Sequence, residues 1–351
     1  MRVLVLASVL AASAAHPGAW KPPTRYSHYN RSPYFGAAAG AWQSPAGYSE
    51  YNPAPYFGGA GGAWQSPAGY SEYNLAPYFG NAGTWQPYKE NFEFDRSPLF
   101  EREFDPFAAE FPSCRGSRQS PINLDPSSSP AREFEPFFFL RYQQIPDAES
   151  ITNTGHSVEV KLISRNLPEV SGGNLGATYK FDQYHLHWGA EDSRGSEHTI
   201  DNFRFPMELH LVHHNTKYAS FNASLEHRDG VAVLGVLFVI SELDNPLLQP
   251  LIDHLMSITE AGQEDIAVDL YPLASLLPRD LSRFYRYHGS LTTPMCNEVV
   301  TWTIFDDYVP VSDAQMARLR SLMDTEGDPL LNNFRPNQLL NGRTVYRSFL
   351  Y

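Results

Sequence analysis

The 351-residue chain has little to tie it to a polyanion or a bilayer. Only 26 Lys and Arg stand against 39 Asp and Glu, a formal net charge of −13, which argues against nucleic acid or an anionic membrane as partner. The longest apolar runs, Val3–Leu10 and Val231–Ile240, fall well short of the roughly 20 residues a transmembrane helix needs. The C-terminus, Tyr-Arg-Ser-Phe-Leu-Tyr, has no hydrophobic tail, so no lipid anchor is expected. Cysteine is scarce, with Cys114 and Cys296 alone. Residues 16–90 hold almost no Val, Ile or Leu, which leaves that stretch without material for a core.

Residues 1–15 read as a secretion signal, with Arg2, the apolar Val3–Leu10 and the small residues Ala11–Ala15 in order. The mature protein is therefore expected to be secreted and extracellular. An even pair of cysteines there implies a disulfide, and two free thiols are the alternative.

Residues 16–90 are a repetitive Tyr/Gly/Pro-rich extension. A Tyr-Ser-x-Tyr-Asn motif starts at Tyr26, Tyr48 and Tyr70, a period of 22, and each copy runs on to a Trp-Gln at Trp42, Trp64 or Trp85. A solenoid of this period needs an aliphatic stripe, and none is present, so low-complexity chain is the better reading. Two roles stand for it: a spacer left by duplication, or a tail tethering the protein in an extracellular or mineralising matrix. Residues 91–110 form an acidic-aromatic linker with six Asp/Glu against two Arg, and residues 111–351 are the folded domain. The sequons at Asn30 and Asn222 are candidate glycosylation sites.

The chemistry concentrates between Gln183 and His213. Gln-Tyr-His-Leu-His-Trp-Gly has the composition of a strand, so Gln183, His185 and His187 share one face, while Tyr184, Leu186 and Trp188 share the other. In Glu-Leu-His-Leu-Val-His, Glu208, His210 and Val212 share one face, and Leu209, Leu211 and His213 the other. If the two strands lie in one sheet, three imidazoles converge, and three neutral nitrogens leave one tetrahedral position on a zinc ion open for catalysis. Strands are also expected over Ser157–Ile163, Val231–Ile240 and Val299–Phe305, and helices over Leu247–Ile258 and Ser312–Met323.

These runs resemble the α-class carbonic anhydrases, together with Phe-Pro-Ser-Cys-Arg-Gly-Ser-Arg-Gln-Ser-Pro-Ile-Asn-Leu from Phe111 and His-Gly-Ser-Leu-Thr-Thr-Pro from His288. The resemblance covers about Phe111 to Ser348. It implies a mainly-β single domain around a large, twisted, mostly antiparallel sheet with short peripheral helices. It implies Zn2+ on His185, His187 and His210, and reversible hydration of carbon dioxide to bicarbonate and a proton by a zinc-held hydroxide. By the same resemblance Gln183 and Glu208 accept hydrogen bonds from His185 and His210, and the Asn333 carbonyl from His187.

The resemblance further implies that Thr292 orients the nucleophile and donates to Glu197, that Thr293 touches bicarbonate, and that Val212, Val233, Leu291 and Trp302 wall the carbon dioxide pocket. His156 matches the family's proton shuttle, a role that suits an imidazole ordinarily titrating at about 6.5. Cys114 and Cys296 stand where secreted relatives place their bridge. Some positions depart from the family: the Trp-x-Tyr segment at the mouth is not recognisable, Thr154 stands near the shuttle where Asn is common, and Met295 and Phe334 replace Pro and Trp. The rival reading is a matrix protein that uses the fold as an inactive scaffold. Inactive relatives typically lose a zinc histidine, and this chain has all three.

Overall fold

Alternating residues become strands in a computed structural model that describes residues 105–268 and 270–350. The signal, the repeats with Asn30, and residues 91–104 of the linker lie outside the described residues. In chain order the strands are β1 (Asn123–Leu124), β2 (Phe137–Leu140), β3 (Ala148–Asn153), β4 (Val158–Ile163), β5 (Glu169–Gly172), β6 (Tyr179–Trp188) and β7 (Thr199–Ile200). They continue as β8 (Met207–Asn215), β9 (Val231–Ser241), β10 (Glu264–Ala267), β11 (Phe284–Gly289), β12 (Val300–Phe305), β13 (Val309–Ser312) and β14 (Tyr346–Arg347).

Twelve of them make one sheet in the order β10-β3-β4-β6-β8-β9-β12-β11-β14, with β13 on β9, β5 on β6 and β2 on β5. Within it only β9 pairs in parallel, with β12 and β13, so the sheet is mostly antiparallel. β1 and β7 form a separate parallel pair.

The sheet divides two cores. On β9 the even positions Ala232, Leu234, Val236 and Phe238 face one cluster with Tyr184, Leu186, Trp188, Leu209 and Leu211. The odd positions Val231, Val233 and Leu237 face the other, with Val212, Tyr287, Trp302 and Ile304. Each fully buried aliphatic contributes roughly 1.5–3 kcal/mol relative to exposure, which is what fixes the register.

Among the described residues, four short helices sit off the sheet: α1 (Pro106–Glu110), α2 (Phe221–Ser224), α3 (Gln249–His254) and α4 (Asp313–Leu319). Both helices expected from the sequence are shorter than expected. Over Leu247–Ile258 the α-helix covers Gln249–His254, with Pro250 in its first turn, and tightens to 3-10 over Leu255–Ile258. Ser312 is the N-cap of α4, in a capping box with Gln315. That helix stops at Leu319, where Ser321 and Leu322 bond three residues back instead of four.

The folded region also begins earlier than Phe111. Asp105 caps α1 through the Phe107 N–H, and its other oxygen lies 2.6 Å from the buried Arg335 guanidinium. Residues 105–110 therefore belong with the domain.

One core position makes stability pH-dependent. Glu149 on β3 is buried, and burial raises its pKa from 4.5 to about 7 against the opposing charge of His254 and the Tyr184 hydroxyl. Below pH 4.5 the carboxyl is protonated in folded and unfolded chains alike, and this position carries no penalty. As pH rises from 4.5 through about 7, the unfolded chain releases the proton first and the fold loses stability, in all by about 3 kcal/mol. Glu149→Gln is expected to recover most of that about 3 kcal/mol at alkaline pH and little in acid, read by urea unfolding across the range.

Candidate active site

Adjacent pairing of β6 and β8 brings the histidines together. The register sets His185 opposite His210 and His187 opposite Glu208. A bulge between Phe181 and Gln183 resets the alternation on β6. Tyr179 and Phe181 face the same core as Tyr184, Leu186 and Trp188, which strict alternation would forbid. The extra residue, Asp182, absorbs the change of phase and turns its carboxylate to His214 Nδ1 at 2.8 Å. Gly235 of β9 lies opposite His210. A Cβ there would stand 2.5 Å from Ile304 and 3.3 Å from a Glu208 oxygen, so a side chain would crowd the strand against the carboxylate.

The three rings have centroids 5.0 Å (185–187), 5.2 Å (185–210) and 4.6 Å (187–210) apart. In each ring one nitrogen is engaged away from the cluster. His185 Nδ1 lies 2.9 Å from Gln183 Oε1, His187 Nδ1 lies 2.9 Å from the Asn333 carbonyl, and His210 Nε2 lies 2.7 Å from Glu208 Oε1. All three partners are acceptors, so each engaged nitrogen carries the proton and the other is left bare. His187 Nε2 and His210 Nδ1 face one another at 3.2 Å.

Burial lowers the pKa of His185 well below 6.5 and lowers that of His210; neighbouring imidazoles add to the effect and Glu208 opposes it. Two ring nitrogens at that separation suit a cation between them. Tetrahedral zinc, with Zn–N of about 2.0–2.1 Å, sets its nitrogens roughly 3.3 Å apart. The residues present fit the ion.

Glu208 is the hub behind this cluster. One oxygen accepts from the Glu197 and His198 backbone N–H groups at 2.9 and 2.8 Å, and the other lies 2.7 Å from both His198 Nδ1 and His210 Nε2. Burial opposes its ionisation, but the charge and hydrogen bonds of His198 and His210 outweigh burial and hold it well below 4.5. His198, Glu208 and His210 also lie close enough to hold a metal. Their polar atoms, however, are already spent on one another and on Tyr287, whose hydroxyl lies 2.6 Å from His198 Nε2.

Glu197 is buried, and its Oε1 accepts from the Arg335 N–H at 2.9 Å. Its Oε2 stands 3.5 Å from His187 Nε2 and 3.8 Å from His210 Nδ1, with no hydrogen-bond partner. The bond from Thr292 that the resemblance implies is therefore not formed on this oxygen, because the carboxylate is turned toward the histidines. Thr292 itself is buried, while Thr293 is exposed.

Val212, Val233 and Trp302 pack in one apolar cluster, with Leu291 partly buried against it. The Trp302 ring lies 4.8 Å from that of His210. His156 is exposed on a turn where Gly155 has φ +79°, and a Cβ at Gly155 would come within 2.5 Å of Thr325. Asn333 ties this turn to the cluster: its side chain donates to the His156 carbonyl at 2.9 Å, and its own carbonyl faces His187. Cys114 and Cys296 are joined in a disulfide. Asn222 is exposed on α2.

Sequence reasoning missed Arg335 and Tyr287. Arg335 stood in the Phe-Arg-Pro triplet, but its neighbours Asp105, Cys114, Gln119 and Ser120 are more than two hundred positions away. No local pattern signals that.

A family model for eukaryotic-type carbonic anhydrases matches residues 104–349. The chain belongs to this family. Mouse carbonic anhydrase 15 is 38% identical over 250 residues, 68% of this chain and 77% of the relative. Mouse carbonic anhydrase 1 is 39% identical over 251 residues, 70% and 95% of the two chains. Pig carbonic anhydrase 3 is 38% identical over 256 residues, 68% and 92%. The chain is accordingly an enzyme of the carbonic anhydrase class, and its three-histidine group lies within the matched region. The match begins at residue 104, next to the Asp105 cap that opens this carbonic anhydrase domain.

Proposed function

We propose that the protein hydrates carbon dioxide reversibly to bicarbonate and a proton at a zinc ion held by His185, His187 and His210. The observation that carries this reading is the set of bare ring nitrogens facing one another, each with its proton committed elsewhere. When bound, zinc supplies Lewis-acid chemistry that makes a nucleophile of water near neutral pH, the behaviour for which carbonic anhydrases are the standard example.

The chain's own residues do the rest. Gln183, the Asn333 carbonyl and Glu208 hold the three imidazoles in the ligating tautomer and fix their rings. Thr292 orients the attacking oxygen, and Glu197, whose Oε2 is unpartnered, is the acceptor its hydroxyl would take once that carboxylate rotates from the histidines. Val212, Val233, Leu291 and Trp302 receive carbon dioxide on an apolar surface that excludes water from the carbon. Thr293 contacts the bicarbonate oxygen on its way out. The surplus proton passes to a ring nitrogen of His156 and from there to buffer.

Stripping the metal with a chelator should abolish hydration, and zinc should restore it; full activity in the stripped protein would overturn the proposal. Loss of the shuttle should look different. In His156→Ala, kcat is expected to fall by about 10²-fold in dilute buffer while kcat/KM for carbon dioxide stays unchanged, because proton transfer follows the hydration step. Added imidazole should restore kcat.

The reading extends to a secreted, glycosylated enzyme held in an extracellular or mineralising matrix by its repeats. It rests on the signal-like residues 1–15, the sequons and the 22-residue period. Native protein recovered wholly from fluid, with none in the insoluble matrix, would contradict the tether.

A further inference from the structure

A second cleft of mixed polar and apolar lining opens at the edge of the sheet, away from the three histidines. It is lined by Arg132, Arg286, His288, Asn174, Tyr346 and Thr301, among others, and encloses about 80 Å³. A single water needs roughly 10–15 Å³ of such space, so the cleft has room for a four- or five-atom group. We propose that this cleft binds a small oxyanion of the phosphate and sulfate class, free or as the terminal group of a larger molecule.

Charge carries the argument. Arg286 is 5% exposed, and among the described residues its guanidinium meets no carboxylate. It donates to Thr303 Oγ1 from Nε and one terminal nitrogen, and to the Gly173 carbonyl from the other. Those bonds use three of its five N–H groups, and the Phe134, Phe137 and Phe284 rings lie 5.3–5.9 Å from its central carbon. A buried cation without a counter-charge is costly unless something neutralises it.

Arg132, exposed at the rim, adds a second guanidinium. Its charged group stacks at 5.1 Å over the Tyr346 ring and 5.6 Å over Phe134, and it has no ion pair among the described residues. His288 supplies a third donor; beside it Arg343 donates to the His288 carbonyl at 3.2 Å, and Arg118 is paired with Glu298 at 3.5 Å.

Burial brings Arg286 down to about 10, opposed by Tyr179 and assisted by the charge of Arg132, and burial with the charges of Arg286 and Arg118 lowers His288. All this lies in a region that carries a net charge of −15 over residues 91–351, where a cationic pocket is not expected from composition. Two guanidinium forks suit an anion with several acceptor oxygens better than a halide.

The test is calorimetric titration of the zinc-loaded full chain with inorganic phosphate and, separately, phenyl phosphate. Binding of inorganic phosphate supports a free anion. Binding of phenyl phosphate alone supports the terminal group of a larger molecule, stacked on the aromatic rim. Arg132→Gln, a surface change remote from the histidines, is expected to weaken binding about tenfold or more while hydration stays unchanged. Arg286→Lys keeps the charge but loses the fork, and should weaken it too. Three results would each overturn the proposal: neither compound binding, affinity unchanged in Arg132→Gln, or binding lost only in His210→Ala, which would place the anion at the histidines.

Discussion

His210→Ala is expected to take both zinc and hydration to background. The change removes one of the three bare nitrogens; no free thiol stands by, since Cys114 and Cys296 are bonded to each other, and the unpartnered Glu197 Oε2, 3.8 Å from His210 Nδ1, belongs to a carboxylate already anchored by the Arg335 N–H. Loss of a partner behind a ligand costs about 10–100-fold in metal affinity, which sets the scale for Gln183→Ala. Loss of the ligand itself should exceed that range. Metal content after dialysis and the hydration rate on the same sample separate the two cases. Retained zinc with lost activity would mean that His210 positions the substrate instead of the metal. Because His210 also satisfies Glu208, circular dichroism on the variant must show the sheet intact before the comparison counts.

Removal of the disulfide should have the largest effect on stability. The bond joins residues 182 apart. In the chain-entropy model a loop that long is worth about 5 kcal/mol, and removal of a native bridge from secreted domains usually costs about 2–5 kcal/mol. The Cys114→Ser, Cys296→Ser double variant should fall in that range by urea unfolding, with a lower melting temperature of about 2–4 °C per kcal/mol for a domain of this size.

The bond also reaches the site from both ends. The Cys114 carbonyl accepts from Arg335, whose N–H holds Glu197. The Cys296 N–H donates to the Thr293 carbonyl, and its own carbonyl accepts from Gln119. Activity is therefore expected to decline in the reduced protein at temperatures where the sheet still holds. A variant as stable and as active as the parent would show that packing alone fixes the Thr292 loop.

The contrast between what could and could not be read from the sequence follows from distance along the chain. His185 and His187, two apart in a strand, share a face whatever the rest of the protein does, and so do Glu208 and His210. Their convergence needed one further fact, that β6 and β8 are neighbours, and the sheet supplies it.

The bulge at Asp182 was not legible, because a phase change within one strand is set by what packs on each face. Local chemistry also misjudged helix ends, where Leu247–Ile258 and Ser312–Met323 held enough apolar spacing to read as longer helices than form. Asp105 read as part of an acidic linker because its partner, Arg335, stands 230 positions away. The orientation of Glu197 toward the histidines, with Oε2 unpartnered, likewise depends on a backbone N–H from the far end of the domain.

The central claim is that three imidazoles on β6 and β8 hold one zinc for hydration of carbon dioxide. Stopped-flow hydration on the full-length protein, with zinc counted on the same sample, tests it most directly. The account predicts one zinc per chain and a hydration rate that scales with zinc occupancy. A full complement of zinc with no hydration above the uncatalysed rate would contradict it and leave the fold as a matrix scaffold.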